Sequence, residues 1–147
     1  MSDESLIFEM GLYKAKIPSG LLYSPIHFWL EPVENRTRCG LTSYAMRLLG
    51  DVFRLEWKIQ VGEPLAPAQL LGEIESTKAA SELYAPLSGK VLALNDVVVG
   101  DPSSMSVDPY GAWLLEIDGW PQNALRPAEY VAFLASGWEK TMQMFKQ

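Results

Sequence analysis

One lysine, Lys78, stands out because small or polar residues surround it in the stretch GEIESTKAASELYAPLSGKV, residues 72–91. Alternating, strand-like runs lie on both sides, so the lysine is predicted at the exposed tip of a hairpin. An amine at a hairpin tip can be approached from nearly every side by the active site of another enzyme. A cofactor joined to it through an acyl bond would extend the side chain by on the order of 10 Å, at bond lengths of about 1.5 Å. Taken alone, such a lysine is most simply a solvated loop lysine, and its position at a hairpin tip also suits a covalently loaded carrier lysine.

Other residue types that carry catalysis occur singly or are scattered. The one histidine, His27, stands beside Phe28 and Trp29 and is interpreted as structural. The one cysteine, Cys39, precedes Gly40 in a strand-like run and is predicted to be a buried, inert thiol. A single thiol excludes an internal disulfide, a cysteine zinc cluster and a CxxC redox pair. With no GxSxG, HExxH or phosphate-loop motif either, we expect no catalytic residue and no metal site.

The bulk composition restricts the class of protein further. The chain has 147 residues, enough for one domain with a real core, and a formal net charge of −6. A nucleic-acid partner is not expected, since a phosphate backbone requires a lysine- and arginine-rich surface. No apolar run approaches the roughly 20 residues that span a bilayer. The start is acidic and lacks the apolar core of a signal peptide, so a cytoplasmic protein is expected.

Short strands predominate in the predicted secondary structure. Thr42 and Gly50 have the residue types that begin and end a helix, which is predicted between them. From Pro127 onward, apolar residues recur every three to four positions, which predicts an amphipathic C-terminal helix. Its apolar stripe consists of Tyr130, Leu134, Trp138, Met142 and Phe145. Together these elements predict a mostly β or α+β domain.

The remaining stretches are assigned by their alternation and their turn residues. The first 25 residues are predicted to be an irregular lead-in or a short strand, and residues 101–111 a loop. Strands are predicted at 26–32, 36–42, 51–59, 69–76, 79–89, 90–96 and 112–120.

The stretch ESTKAASELYAPLSGKV resembles the lipoyl-lysine signature of the glycine cleavage H-protein family, with Lys78 at the modified position. The similarity extends to SPIHFWL, GLTSYAMRLLGD and DPYG, and covers roughly residues 24–118. In that family a glycine sixteen residues before the lysine, a glutamate three before it and a glycine eleven after it accompany lipoylation. These positions are Gly62, Glu75 and Gly89. Taken without the resemblance, Glu75 is equally well explained as a solvated strand-edge acid.

The resemblance implies a flattened barrel-sandwich hybrid fold with the lipoyl hairpin at one edge. It divides the chain into a lead-in segment (1–23), a lipoyl domain (24–120) and a C-terminal helix packed on it (121–147). Lipoate would be attached covalently as N6-lipoyllysine, and the chain would be a non-catalytic carrier in glycine catabolism and one-carbon metabolism.

The implied cycle has several partners. The carrier receives an aminomethyl group from a pyridoxal-phosphate glycine decarboxylase, and an aminomethyltransferase passes the methylene to tetrahydrofolate. A dihydrolipoyl dehydrogenase then reoxidises the arm, and a lipoylating enzyme attaches it in the first place. In the family the loaded arm can fold into a cleft on the carrier.

Several departures from the family pattern leave alternatives open. The stretch GDVFRLEWKIQVG is one residue longer than usual and lacks a proline, and Ser106 stands where asparagine is usual. An H-like carrier for another system, such as lipoate relay or sulfur-compound oxidation, is therefore the second interpretation. A biotinyl carrier is disfavoured because Thr77 and Ala79, rather than methionines, flank the lysine. An unmodified interaction module is a further alternative.

Overall fold

The computed structural model describes residues 4–145, apart from the side chains of residues 139 and 141–145. This part of the chain is mostly β with a long C-terminal helix, as predicted, and it contains three short internal helices where one was predicted. In chain order the strands are β1 (Ser5–Met10), β2 (Tyr13–Pro18), β3 (Leu22–Tyr23), β4 (Phe28–Val33), β5 (Arg36–Leu41), β6 (Val52–Trp57), β7 (Pro64–Leu65), β8 (Leu70–Ser76), β9 (Ala80–Tyr84), β10 (Gly89–Leu94) and β11 (Leu115–Asp118). The helices are α1 (Ser43–Leu49), α2 (Asp96–Gly100), α3 (Ser104–Val107) and α4 (Pro127–Phe145).

Two open antiparallel sheets form the body of the domain. One has six strands in the order β3-β4-β5-β11-β10-β7, and the other has three in the order β6-β8-β9. Buried residues of both sheets belong to one apolar core, with Cys39, Val91 and Ile117 from the larger sheet and Leu55 and Ile74 from the smaller. The arrangement is compatible with the flattened sandwich that was expected, without a closed barrel.

The first strands are more regular than the irregular lead-in or short strand expected there. β1 and β2 pair in register from Ser5 opposite Pro18 to Met10 opposite Tyr13, and Gly11 lies in the turn at φ 65°. Alternate residues of this hairpin are buried, because its inner face packs on α4 and α1. The apolar alternation of this segment is the signal that predicts such a hairpin.

A second apolar core, separate from the sandwich core, joins the hairpin to the C-terminal helix. Tyr130 and Leu134 of α4 are buried in it, and Trp138 packs against it. The rings of Tyr130 and Tyr23 stack with their centroids 4.6 Å apart. The predicted stripe is thus apolar and inward-facing over its first three positions, while the side chains of Met142 and Phe145 lie outside the described residues. No helix in the described part of the chain is long and apolar enough to cross a membrane.

Two short helices flank the site described below. α1 begins after Thr42, whose Oγ1 accepts a hydrogen bond from the Ala45 amide at 3.2 Å, and ends at Gly50 with φ 78°. Both ends agree with the sequence prediction. α3 lies within the segment predicted to be a loop. It is a single turn in which backbone N–H groups donate hydrogen bonds to carbonyls three or four residues earlier. A helix this short does not produce a helical periodicity in the sequence.

Candidate functional site

Lys78 lies in the bend that connects β8 to β9, and its side chain is exposed together with those of Thr77 and Ala79. The two strands pair from Leu70 opposite Tyr84 to Glu75 opposite Ala80, which leaves a short connection at the tip. The sequence prediction of an exposed lysine between two strands is therefore confirmed as geometry. Sterically, the end of the side chain is open to another protein.

The bend is held by Ser76, a residue that no pattern in the sequence singles out. Its Oγ accepts hydrogen bonds from the amides of Lys78 at 3.3 Å and Ala79 at 3.1 Å, and its hydroxyl contacts the Ala79 carbonyl at 3.0 Å. The Thr77 amide donates to the Asp51 carbonyl at 2.9 Å, which ties the bend to the segment after α1. The backbone around Lys78 is thus fixed without using its side chain.

The Lys78 amine has one weak contact. Nζ donates a hydrogen bond to the Arg47 carbonyl of α1 at 3.4 Å. Among the described side chains, no carboxylate forms an ion pair with it. An acyl group on Nζ would leave one N–H, which can still donate to the same carbonyl. The amine can therefore be modified without breaking a structural contact.

A cleft of about 310 Å³ opens beside Lys78. This volume is at the lower end of the roughly 300–1,000 Å³ typical of small-molecule sites. The cleft mixes apolar and hydroxyl-bearing walls, which suits an arm with an apolar chain and a polar end. Its lining residues are Tyr13, Ser43, Met46, Arg47, Gly50, Asp51, Lys78, Ser106, Val107 and Pro109. Ser106, the family departure noted in the sequence, is part of the cleft wall.

Glu75 lies on β8, three residues before the lysine, and is tied to a neighbouring strand. Its Oε1 accepts a hydrogen bond from Arg54 of β6 at 2.6 Å, and Arg54 also contacts Glu56 at 2.7 Å. The bond to Glu75 is the main cause that raises the pKa of Arg54. The Glu75 side chain keeps 38% of its surface exposed, so its carboxylate is ion-paired and still available to a partner protein.

The two glycines of the predicted signature lie elsewhere. Gly62 precedes β7 and Gly89 begins β10, both in the region of the larger sheet where β7 pairs with β10. Both have positive φ, 94° and 145°, which glycine adopts without strain. A Cβ on Gly89 would come within 2.2 Å of the Asp118 carbonyl. The four predicted positions thus form two groups, with Lys78 and Glu75 at the hairpin and the glycines at strand ends.

Of the remaining candidates, His27 is half-buried and Cys39 is buried. His27 contacts the Tyr130 hydroxyl through Nδ1 at 2.9 Å, and burial lowers its pKa to about 4. Cys39 is fully buried, and burial raises the pKa of its thiol. The described residues contain no group of three or more side chains that could hold a metal ion. Lys78 therefore remains the exposed nucleophile among the candidates chosen from the sequence.

A mostly β domain with one amine at a hairpin tip beside a cleft has the architecture of a covalent carrier domain. A family model described as "Glycine cleavage H-protein" matches residues 21–134. The chain is 39% identical over 123 residues to the glycine cleavage system H protein of Thermoanaerobacter sp. (strain X514), covering 81% of this chain and 97% of that protein. It is 45% identical over 103 residues to the one from Mycobacterium bovis (strain BCG / Pasteur 1173P2), covering 69% and 76%.

A solved structure agrees with these relatives. The crystal structure of a glycine cleavage system H protein from Mycobacterium marinum matches with a TM-score of 0.71 at 35% identity, over 79% of this chain and 97% of that one. The chain belongs to the glycine cleavage H-protein family.

Proposed function

We propose that this chain is the lipoyl-lysine carrier of the glycine cleavage system, loaded on Lys78. The observation that supports it is the exposed Lys78 amine beside a cleft, which forms no ion pair with a described carboxylate, in a chain that belongs to this family. The chain acts as a carrier and not as a catalyst. Its partners are the glycine decarboxylase, the aminomethyltransferase, the dihydrolipoyl dehydrogenase and a lipoylating enzyme.

The residues present fit lipoate. Lys78 supplies the amine for an amide bond, and the Arg47 carbonyl is placed to accept the remaining N–H. Ser43, Met46 and Ser106 supply polar and apolar walls to the adjacent cleft. When bound, lipoate supplies a dithiolane that carries a one-carbon amine group and two electrons, chemistry that belongs to the cofactor.

The chain's own residues present the amine and keep its surroundings fixed. The Ser76 hydroxyl oxygen accepts hydrogen bonds from the backbone amides of Lys78 and Ala79, so Lys78 projects from a hydrogen-bonded tip. Glu75, oriented by Arg54, offers a carboxylate beside the tip that a lipoylating enzyme can recognise. Gly62 and Gly89 permit the positive-φ backbone in the region where β7 pairs with β10.

The test is the intact mass of the chain after incubation with a lipoylating enzyme and its lipoyl donor. The wild-type chain should gain the mass of one lipoyl group, and Lys78→Arg should gain none. Lys90→Arg, a charge-matched change on β10, should gain it as the wild type does. A full adduct on Lys78→Arg would contradict the proposal, because the loaded amine would then lie elsewhere.

One observation favours a second candidate, an H-like carrier in another lipoate-dependent system. Ser106, which departs from the family pattern, lies in the wall of the cleft beside Lys78. A different wall would suit a different group on the arm. If a lipoylated chain fails to support glycine decarboxylation with a competent decarboxylase, this second candidate is favoured.

A further inference from the structure

The N-terminal hairpin lies outside the residues that the family model matches, yet it forms part of the cleft beside Lys78. The model begins at residue 21, whereas β1 and β2 cover Ser5–Met10 and Tyr13–Pro18. Tyr13, the first residue of β2, lines the cleft. A segment added before the shared domain therefore contributes to the surroundings of the carrier lysine.

The hairpin is fixed in this position by contacts with three elements. The Phe8 ring packs edge-on against Tyr44 of α1 and Trp138 of α4, with both pairs of centroids 5.8 Å apart. The Tyr110 hydroxyl donates to the Lys16 carbonyl and accepts from the Ser43 amide, so it bridges β2 and the start of α1. Tyr13 is thus held against the rest of the domain.

Tyr13 contacts Arg47 in the wall of the cleft. The Arg47 guanidinium lies over the Tyr13 ring with its carbon 4.6 Å from the ring centroid, which is cation–π geometry. Arg47 belongs to α1, and its carbonyl is the group that accepts the hydrogen bond from Lys78 Nζ. Both side chains line the same cleft as Lys78. The ring and the guanidinium together cover one side of that cleft.

We propose that Tyr13 and Arg47 are positioning residues, which hold the lipoyl arm of Lys78 in the cleft and limit the access of solvent to it. This inference rests on the proposed function. An arm on the order of 10 Å long attached to Lys78 Nζ, next to the Arg47 carbonyl, would be long enough to reach the wall made by this pair. The N-terminal hairpin thus shields the arm from solvent while the carrier is not bound to a partner enzyme.

The test measures how fast iodoacetamide alkylates the reduced arm in the lipoylated full-length chain. The arm's thiolate sulfur displaces iodide, and the rate is compared with that of free dihydrolipoamide. The wild-type chain should react more slowly than the free compound. Tyr13→Leu and Arg47→Met should each react about two- to fivefold faster than the wild type, the range that one exposed cation–π contact corresponds to.

Two controls separate positioning from folding. Leu12→Ala changes the neighbouring residue, which is fully exposed and absent from the cleft wall, and should alkylate at the wild-type rate. The double variant should react no faster than either single one, since the two residues act as one unit. If the Tyr13→Leu variant does not fold, the proposal is tested by the alkylation rate of Arg47→Met alone, since Arg47 lies on the exposed side of α1.

The two proposals fail in different ways. A lipoyl adduct on Lys78 with equal alkylation rates in the wild type and both single variants would overturn this inference and leave the proposed function standing. A chain that takes no adduct on Lys78 would contradict the proposed function and this inference with it.

Discussion

The bend at Lys78 and the aromatic cluster between the N-terminal hairpin and α4 use opposite means to hold a structure. At the bend, the backbone is fixed by hydrogen bonds from backbone amides to the Ser76 hydroxyl, and the lysine side chain is left exposed. In the cluster, the side chains themselves are fixed. Tyr130 is fully buried, stacks on Tyr23 and bonds to Thr42 and His27 through its hydroxyl.

This difference separates the residues that determine the stability of the fold from those that determine the loading of Lys78. The bend contributes little buried area, so changes there should affect the loading of Lys78 more than the folding of the chain. The cluster buries large rings, so changes there should lower the free energy of unfolding while the loading of the folded chain stays intact. The predictions below test this separation, from the largest expected effect to the smallest.

Tyr130→Ala should give the largest loss of stability. It removes a fully buried ring and its two hydroxyl contacts, and large-to-small changes at such sites cost about 3–5 kcal/mol. Urea unfolding followed by circular dichroism measures the loss. Phe133→Ala, at a residue 42% exposed on the same helix, is the control and should cost much less. Equal losses would mean that the buried cluster does not hold α4.

Gly89→Ala tests the start of β10, where that strand pairs with β7. Alanine at φ 145° is strained, and its Cβ would meet the Asp118 carbonyl at 2.2 Å. We expect a loss of about 2 kcal/mol or more in unfolding free energy. Gly20→Ala is the control, because its Cβ would meet no atom within 4 Å. A Gly89→Ala chain as stable as Gly20→Ala would contradict the assigned role.

His27 should make the stability of the cluster depend on pH. Burial lowers its pKa from 6.5 to about 4, so between these values the unfolded chain binds a proton that the native chain does not. The destabilisation caused by His27 is therefore absent above pH 6.5, and the free energy of unfolding falls as the pH drops towards 4. From pH 7 to pH 5 the loss is about 2 kcal/mol, at 1.36 kcal/mol per pKa unit.

The matched variant is His27→Asn, since asparagine tolerates the left-handed φ of 73° at this position. Unfolding free energies of both chains at pH 7 and pH 5 give the histidine contribution by difference, with the carboxylates common to both. Parallel pH dependences would show that folding does not lower the pKa of His27.

Ser76→Ala should have the smallest effect on stability and a clear effect on loading. It removes the acceptor for two amides at a partly solvated bend, which costs about 1 kcal/mol. The looser bend should slow lipoylation, measured as the initial rate of adduct formation by mass spectrometry. Lys78→Arg, two residues on, should unfold like the wild type. A Ser76→Ala chain lipoylated at the wild-type rate would show that the rigid bend is not required.

Local sequence patterns predicted the parts of the molecule that local forces determine. The exposed Lys78, the helix between Thr42 and Gly50, and the strands around the bend follow from alternation, capping and turn residues. The contacts of Glu75 depend on the register that places Arg54 of β6 opposite it, which no local pattern encodes.

For the same reason, sequence reasoning could not predict which residues line the cleft that the resemblance implies. The cleft brings together Tyr13, Arg47 and Ser106, which are far apart in the chain and belong to elements that pack only in the folded domain. The hairpin that carries Tyr13 was expected to be an irregular lead-in or a short strand. Its alternating residues pack against α4, more than a hundred residues away.

The most direct test of the central claim is the exchange of labelled bicarbonate into the carboxyl group of glycine, with a glycine decarboxylase and the lipoylated chain. The wild-type chain should support exchange, and Lys78→Arg treated with the same lipoylating enzyme should support none. Exchange by Lys78→Arg at the wild-type rate would contradict the account. So would the absence of exchange with a fully lipoylated wild-type chain, when an active H protein supports exchange in a parallel assay.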